Sequence, residues 1–323
     1  MQAIVVQTLG GPEELVLREW PDPQPGPDEL LVAVSRSGVN FMDTGARTRG
    51  PAGGSAPFIP GVEAVGRIVA LGRAVTGFAV GDRVAWVYAY GSYAELVTVA
   101  AEAAVPVPDT VSDDLAAAVM MQGLTAHHFA TEAAPLGPGD IALVHSAAGG
   151  LGRLLTQLIR LRGARVIGLV SREEKVTAAA SAGADEVLVS SGGDFVERVR
   201  ALTDGQGVHA VYDGAGGTTF RSSMAATRRH GTVLYYGAFI DDVPVLSMRD
   251  IPNSIKVSYP VFRDHIPDRE SLLRHSAEVF DLVAHGRLHV DIGRRYPLGD
   301  AAQAHRDIES RLTTGKLLLD VRP

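Results

Sequence analysis

Between Ile141 and Gly152 the chain reads Ile-Ala-Leu-Val-His-Ser-Ala-Ala-Gly-Gly-Leu-Gly. An apolar run of strand character meets a tight turn of small residues. The next stretch places Leu154, Leu155, Leu158, Ile159 and Leu161 at helical spacing, and after Gly163 a second strand follows over 164–170. A strand, a glycine turn, a helix and a strand in this order form the unit that lays a dinucleotide pyrophosphate on a helix N-terminus. The turn itself is Ala147-x-Gly149-x-x-Gly152, so Ala147 stands where the fingerprint has its first glycine. Gly149 still lets the backbone approach phosphates, and Gly152 still lets helix and strand pack closely.

The tip after the second strand refines the reading. A site for the NAD ribose wants an acidic residue about 20 positions past the turn. Here the chain reads Ser171-Arg172-Glu173-Glu174-Lys175. A hydroxyl, a guanidinium and an ammonium suit a 2′-phosphate, so the expected cofactor is NADPH. The plainer reading is a solvated helix start, with Ser171 as N-cap and Glu174 completing a capping box. The two readings are compatible.

At 323 residues the chain has room for two domains, each with its own core. A net charge of −7 argues against a nucleic-acid partner. No apolar run reaches membrane-spanning length. Residues 1–7 read as a first strand rather than a signal peptide, and a cytoplasmic protein is expected. The absence of cysteine removes disulfides, a thiolate nucleophile and every Cys-based zinc site. The histidines are scattered with no H-E-x-x-H spacing. His127 and His128 are adjacent and so do not share a helix face. No metal site is expected.

Residues 1 to about 115 look β-rich. Strand candidates are 30–34, 64–71, 83–87 and 94–99, with Pro- and Gly-rich turns between them. From about 113 helices and strands alternate: helices at 113–121, 124–134 and 195–202, and strands at 186–189, 209–213 and 231–237. This pattern predicts a parallel doubly wound sheet. A helix at 271–285, a strand at Tyr296, a helix at 300–305 and a strand at 317–320 follow.

The markers Gly38-Val39-Asn40-Phe41-Met42-Asp43, Pro60-Gly61-Val62-Glu63-Ala64-Val65-Gly66 and Gly81-Asp82-Arg83-Val84-Ala85 come early. Gly91-Ser92-Tyr93-Ala94-Glu95, Gly123-Leu124-Thr125-Ala126 and Ala147-Ala148-Gly149-Gly150-Leu151-Gly152 follow. Tyr212-Asp213-Gly214-Ala215-Gly216-Gly217 and Thr314-Gly315-Lys316-Leu317 complete the set. With them the chain resembles, end to end, the zinc-independent medium-chain dehydrogenase/reductases of the quinone oxidoreductase (zeta-crystallin-like) type. The resemblance implies an α/β fold, with a Rossmann doubly wound parallel sheet plus a GroES-like β-barrel substrate domain. It implies a substrate domain over 1–115, rejoined by 262–323, and an NADPH-binding domain over 116–261. It also implies NADPH and commonly a homodimer. The run Val233–Tyr236 could supply a sheet edge for the dimer.

Carried over position by position, the resemblance places Asn40, Asp43 and Thr125 near the nicotinamide, and Ala148, Gly149, Gly150 and Leu151 at the pyrophosphate. It places Ser171, Arg172 and Lys175 at the 2′-phosphate. Gly214, Tyr236, Gly237 and Phe239 line the cofactor groove, while Phe262 and Lys316 close the site. Zinc-dependent relatives carry a His where this chain has Val62. The chain also departs from many relatives at Ser190, Gly45 and Pro51, where they carry aromatic residues. The expected chemistry is metal-free hydride transfer to a small-molecule acceptor, a quinone or another conjugated carbonyl. Asn40, Asp43 and Tyr88 are the candidate catalytic residues; Tyr90 and Arg47 are further possible proton donors. Alternatives are an enone or enoyl reductase in a biosynthetic pathway and a non-catalytic NADPH-binding protein.

Overall fold

The computed structural model describes residues 1–51, 54–237 and 244–322. The chain divides into two compact units: Met1–Leu124 with Ile266–Pro323, and Thr125–His265. Both boundaries lie later in the chain than those expected from sequence; the first moves because the helix Asp113–Val119 packs on the strands Glu29–Val39 and Glu63–Leu71 of the first unit.

The first unit is built on a mostly antiparallel sheet. Its strands run in the order Ile292–Pro297, Lys316–Asp320, Glu29–Val39, Glu63–Leu71, Arg83–Val87 and Ala104–Pro106, with Leu96–Ala100 also paired to Glu29–Val39. A separate hairpin joins Gln2–Val6 to Leu15–Glu19. The long strand Glu29–Val39 shows why the sheet forms. Leu30, Val32 and Val34 are fully buried, alternating with half-buried neighbours, and period two puts one set of side chains on the core face. That face meets Ile68, Val84, Trp86, Tyr93 and Leu317 in one apolar cluster. The Trp86 indole N–H is satisfied by the Ser92 hydroxyl at 3.0 Å. Gly66 is required by close approach, since a Cβ there would lie 2.2 Å from the Ala33 carbonyl oxygen.

The second unit is a six-stranded, wholly parallel sheet. Its order is Glu186–Val189, Arg165–Val170, Ile141–His145, Val208–Asp213, Thr227–Tyr235, Lys256–Ser258. The strand Ile141–His145 is first in sequence but third in the sheet. The chain leaves it toward Arg165–Val170 on one side and later returns to its other side at Val208–Asp213. The carboxyl end of Ile141–His145 is therefore the topological switch point, where open α/β sheets bind ligands.

Several expectations shift. The strand expected at 231–237 spans Thr227–Tyr235 and lies between two neighbours, so Val233 and Leu234 are interior. Among the described residues the sheet edge next to it is Lys256–Ser258, which sequence reading missed because it is only three residues long. Helix Met121–His128 ends earlier than expected. Phe129–Ala133 continues it as a π-turn, closed by the Ala134 N–H on the Phe129 carbonyl at 3.2 Å. Helix Phe41–Arg49 was also missed, since its residues Thr44, Gly45 and Thr48 are poor helix formers without an apolar stripe.

Candidate active site

Helix Phe41–Arg49 starts where strand Glu29–Val39 ends. Asn40 is its N-cap, with extended backbone, and the Asn40 N–H donates to the Asp43 Oδ2 at 2.8 Å. That single turn gathers a buried polar network. The Asn40 Nδ2 donates to the Glu63 Oε1 at 2.7 Å. Its Oδ1 accepts from the Lys316 Nζ at 2.9 Å and the Gln122 Nε2 at 3.4 Å. Lys316 also donates to the Val39 carbonyl at 3.1 Å and pairs with Glu63, while the Glu63 Oε2 accepts the Met121 N–H at 2.6 Å. Gly38 makes room for this carboxylate, because a Cβ there would stand 2.2 Å from the Glu63 Oε1. Glu63 and Lys316 are both buried, and a buried ion pair of this kind survives only with its lone pairs and protons used.

Two expectations change here. Lys316 does not project outward to close a cofactor site; its ammonium is enclosed and fixes Asn40 and Glu63. Asn40, expected near the nicotinamide as a candidate catalytic residue, has most of its amide committed within the protein. Its oxygen already accepts twice and one amide hydrogen is used, which leaves the second Nδ2 hydrogen outside these bonds.

Behind Asp43 runs a second chain of contacts that sequence reading did not find. The Tyr93 hydroxyl donates to the Asp43 Oδ2 at 3.1 Å. It also lies 3.3 Å from the Nε2 of His305, whose Nδ1 is 3.0 Å from the Arg47 Nη1. Arg47 reaches the half-exposed Glu309 at 2.5 Å. A guanidinium only donates, so His305 accepts at Nδ1 and carries its proton on Nε2, aimed at the Tyr93 oxygen. Burial first, and Arg47 second, push His305 down to about 3. Burial pushes Asp43 up to about 7, against the hydrogen bond from Asn40 and the charge of Lys316. Arg47 is thus buried inside this chain rather than presented as a donor. Tyr93 belongs to the segment Gly91-Ser92-Tyr93-Ala94-Glu95, but nothing local marks His305, which comes from the far end of the sequence.

Tyr88 follows strand Arg83–Val87, half-buried, in the left-handed region with φ 64°. A bulky residue there is strained, and such strain is typical of functional turns. Tyr90 is exposed.

In the second unit the glycine turn sits at the switch point. Ser146, at φ 51°, turns the chain, and Gly149 caps helix Gly150–Leu161. A Cβ on Gly152 would lie 2.3 Å from the Ser146 carbonyl oxygen, so only glycine fits there. Ala147 is tolerated in place of a glycine because Gly168 faces it from the next strand; a Cβ on Gly168 would lie 3.0 Å from the Ala147 Cβ. The helix start directs the Gly150 and Leu151 amides outward, and Ala148 is buried beneath them. Ser171 and Arg172 are exposed at the end of strand Arg165–Val170, with Lys175 half-buried. The turn Glu173–Lys175 is 3-10 and its N-cap is Arg172, without a side-chain cap bond, so the Ser171 capping box does not form.

The groove residues Gly214, Tyr236 and Gly237 lie together. A Cβ on Gly214 would meet the Tyr236 ring at 2.2 Å, and one on Gly237 would meet the Gly216 nitrogen at 2.7 Å. Tyr236 packs on Phe129 with ring centroids 5.0 Å apart, and burial raises its pKa. Thr125 is half-buried, Phe262 is buried, and Phe239 lies outside the described residues. A further buried cluster escaped sequence reading. Asp213 accepts from Thr219 at 3.0 Å and Ser223 at 2.6 Å, and His145 lies beside it at 3.4 Å. These side chains tie together the carboxyl ends of the two switch-point strands. Taken together, the glycine cradle, the outward amides and the basic tip fit a phosphorylated dinucleotide.

A GroES-like barrel joined to a parallel dinucleotide-fold unit defines the class: a two-domain dehydrogenase or reductase. The match to the description "Alcohol dehydrogenase GroES-like domain" covers residues 26–109, and that to "Zinc-binding dehydrogenase" covers 150–277. The chain belongs to the medium-chain dehydrogenase/reductase family, in its quinone oxidoreductase branch. It is 34% identical to a 2-haloacrylate reductase of Burkholderia over 99% of this chain and 98% of that protein. A mycobacterial structure complexed with NADPH matches with a TM-score of 0.95 at 40% identity, covering 99% of this chain and 100% of the other. Escherichia coli quinone oxidoreductase complexed with NADPH matches with a TM-score of 0.95 at 33% identity, with the same coverage.

The zinc that one of these descriptions implies does not fit the site around Val62 and Glu63. Cysteine is absent, Val62 is apolar and buried, and both Glu63 oxygens are engaged by Lys316, Asn40 and Met121. Among the described residues, no helix is long and apolar enough to cross a membrane.

Proposed function

We propose that this protein is an NADPH-dependent oxidoreductase that transfers hydride, without metal, to a quinone or another conjugated carbonyl acceptor. The observation that carries the reading is the glycine cradle at the switch point, with Ser171, Arg172 and Lys175 at the end of the next strand. NADPH supplies the hydride when bound. The outward amides of Gly150 and Leu151 and the helix N-terminus offset the pyrophosphate charge. Arg172 and Lys175 hold the 2′-phosphate through charge-assisted bonds, with Ser171 as a donor. Thr125, Ala148, Gly214, Tyr236, Gly237 and Phe262 shape the cofactor groove.

Asn40 is the orienting residue. Lys316 and Glu63 lock its amide, so its one remaining hydrogen has a fixed direction and little reorganisation to undergo. A quinone takes its protons from water. An alkene acceptor needs a proton on carbon, and the strained Tyr88 is the candidate donor. The names of the relatives support this acceptor class: a quinone and a 2-haloacrylate share a C=C conjugated to a carbonyl group. A cytoplasmic homodimer completes the proposal. The edge strand Lys256–Ser258, with the exposed Tyr259 and Val261 beside it, is the surface for pairing.

The test is steady-state NADPH oxidation against quinones, enones and 2-haloacrylates. Turnover with at least one class is expected. Tight NADPH binding with no turnover across the panel would favour a non-catalytic binding protein.

A further inference from the structure

Sequence spacing gives no metal-ligand pattern, yet the fold of the second unit assembles one. Helix Met121–His128 carries His128 into the π-turn Phe129–Ala133, which contains Glu132. The short helix Phe262–His265 brings His265 against them. The His128 Nδ1 is 3.8 Å from the Glu132 Oε2, and the His265 Nδ1 is 2.7 Å from the same oxygen. The two imidazoles are 4.4 Å apart between centroids, and a ligand atom from each of the three residues lies within 4.8 Å of the others. His127 also faces His265, at 5.8 Å between rings, so adjacency did not keep the two histidines from one neighbourhood.

We infer that His128, Glu132 and His265 form a binding site for a divalent transition cation of the zinc class. Two imidazole nitrogens and one carboxylate oxygen are a donor set suited to Zn²⁺, Co²⁺ or Ni²⁺. Bonds of about 2.0–2.2 Å in a tetrahedron set ligand atoms roughly 3.3–3.5 Å apart. The observed 3.8 Å and 2.7 Å bracket that spacing, and the two imidazole ligand atoms lie within 4.8 Å of each other. The His128–Glu132 pair is one turn apart on continuous helical backbone, which holds two ligands on one face. The π-turn between them displaces the backbone locally, a feature frequent at functional sites. His265 is buried, which restricts its ring, whereas the Glu132 side chain is about half exposed to solvent. The ion would clamp helix Phe262–His265 to the π-turn. It takes no part in hydride transfer.

The experiment uses the full chain without a histidine tag. Co²⁺ is titrated and followed by visible absorption, and Zn²⁺ is titrated by calorimetry. The variants are Glu132→Gln and His128→Asn, with His285→Asn as a surface control; circular dichroism confirms that each is folded. One Co²⁺ per chain with bands of low coordination number is expected. Affinity should fall at least ten-fold in Glu132→Gln and His128→Asn and stay unchanged in His285→Asn. No stoichiometric binding, or binding unchanged in both ligand variants, would overturn the site.

Discussion

Replacing Asp43 by Asn should make the protein acid-labile, in a way that wild type is not. Asp43 is raised from 3.8 to about 7 by burial, and His305 is lowered from 6.5 to about 3, mainly by burial. Both touch Tyr93. Across the window from 3.8 to 6.5 the folded state holds one proton more than the unfolded state at Asp43 and one fewer at His305. The Asp43 contribution is present at low pH and lost as pH rises toward 7. The His305 contribution is present above 6.5 and lost as pH falls toward 3. One proton of difference is worth about 1.36 kcal/mol per pH unit. Between about pH 4.5 and 6.5 each group therefore changes stability by about 2 kcal/mol, with opposite sign, and the two contributions offset each other. Asn at position 43 keeps an acceptor for Asn40 and Tyr93 but removes the titration. Urea unfolding at the two pH values should show Asp43→Asn losing about 2 kcal/mol more than wild type on acidification. His305→Gln should show the reverse, losing stability as pH rises. Other titrating groups are common to all three proteins and drop out of the difference. Parallel pH profiles for wild type and Asp43→Asn would refute the compensation.

Three further outcomes follow from the same geometry. Replacing Arg172 and Lys175 by Ala removes charge-assisted bonds of about 1.5–3 kcal/mol each, so titrations of NADPH and NADH should show the preference eroded at least ten-fold. Lys316→Met leaves Glu63 buried without its cation and should cost about 3–5 kcal/mol in urea unfolding, with partial recovery when Glu63→Gln is added. Asn40→Ala should lower kcat/KM by roughly 10–100-fold, in the range of a lost positioning contact, with NADPH affinity measured separately by fluorescence.

The parts legible in the sequence were those whose physics is local. The strand, glycine turn and helix at 141–161 and the strand Arg83–Val87 announce themselves through apolar period and turn residues. Helix Phe41–Arg49 did not, because a capping interaction at Asn40 and tertiary packing start it rather than an apolar stripe. Asn40 and Asp43 were visible as a motif, but what holds them was not. Glu63, Tyr93, Lys316 and His305 converge from four separate segments, and no spacing rule links residues that meet only through the sheet register. The same holds for His128, Glu132 and His265. Adjacency along a helix is a rule about one element, whereas this cluster depends on where a second, short helix returns.

The most direct test of the central claim is the stoichiometry of anaerobic NADPH oxidation by wild-type protein with a quinone, in the presence of a strong chelator. One NADPH consumed per quinone reduced, at a rate the chelator does not change and with NADH a poorer donor, is the predicted result. Turnover lost to the chelator and restored by zinc, or equal use of NADH and NADPH, would contradict it.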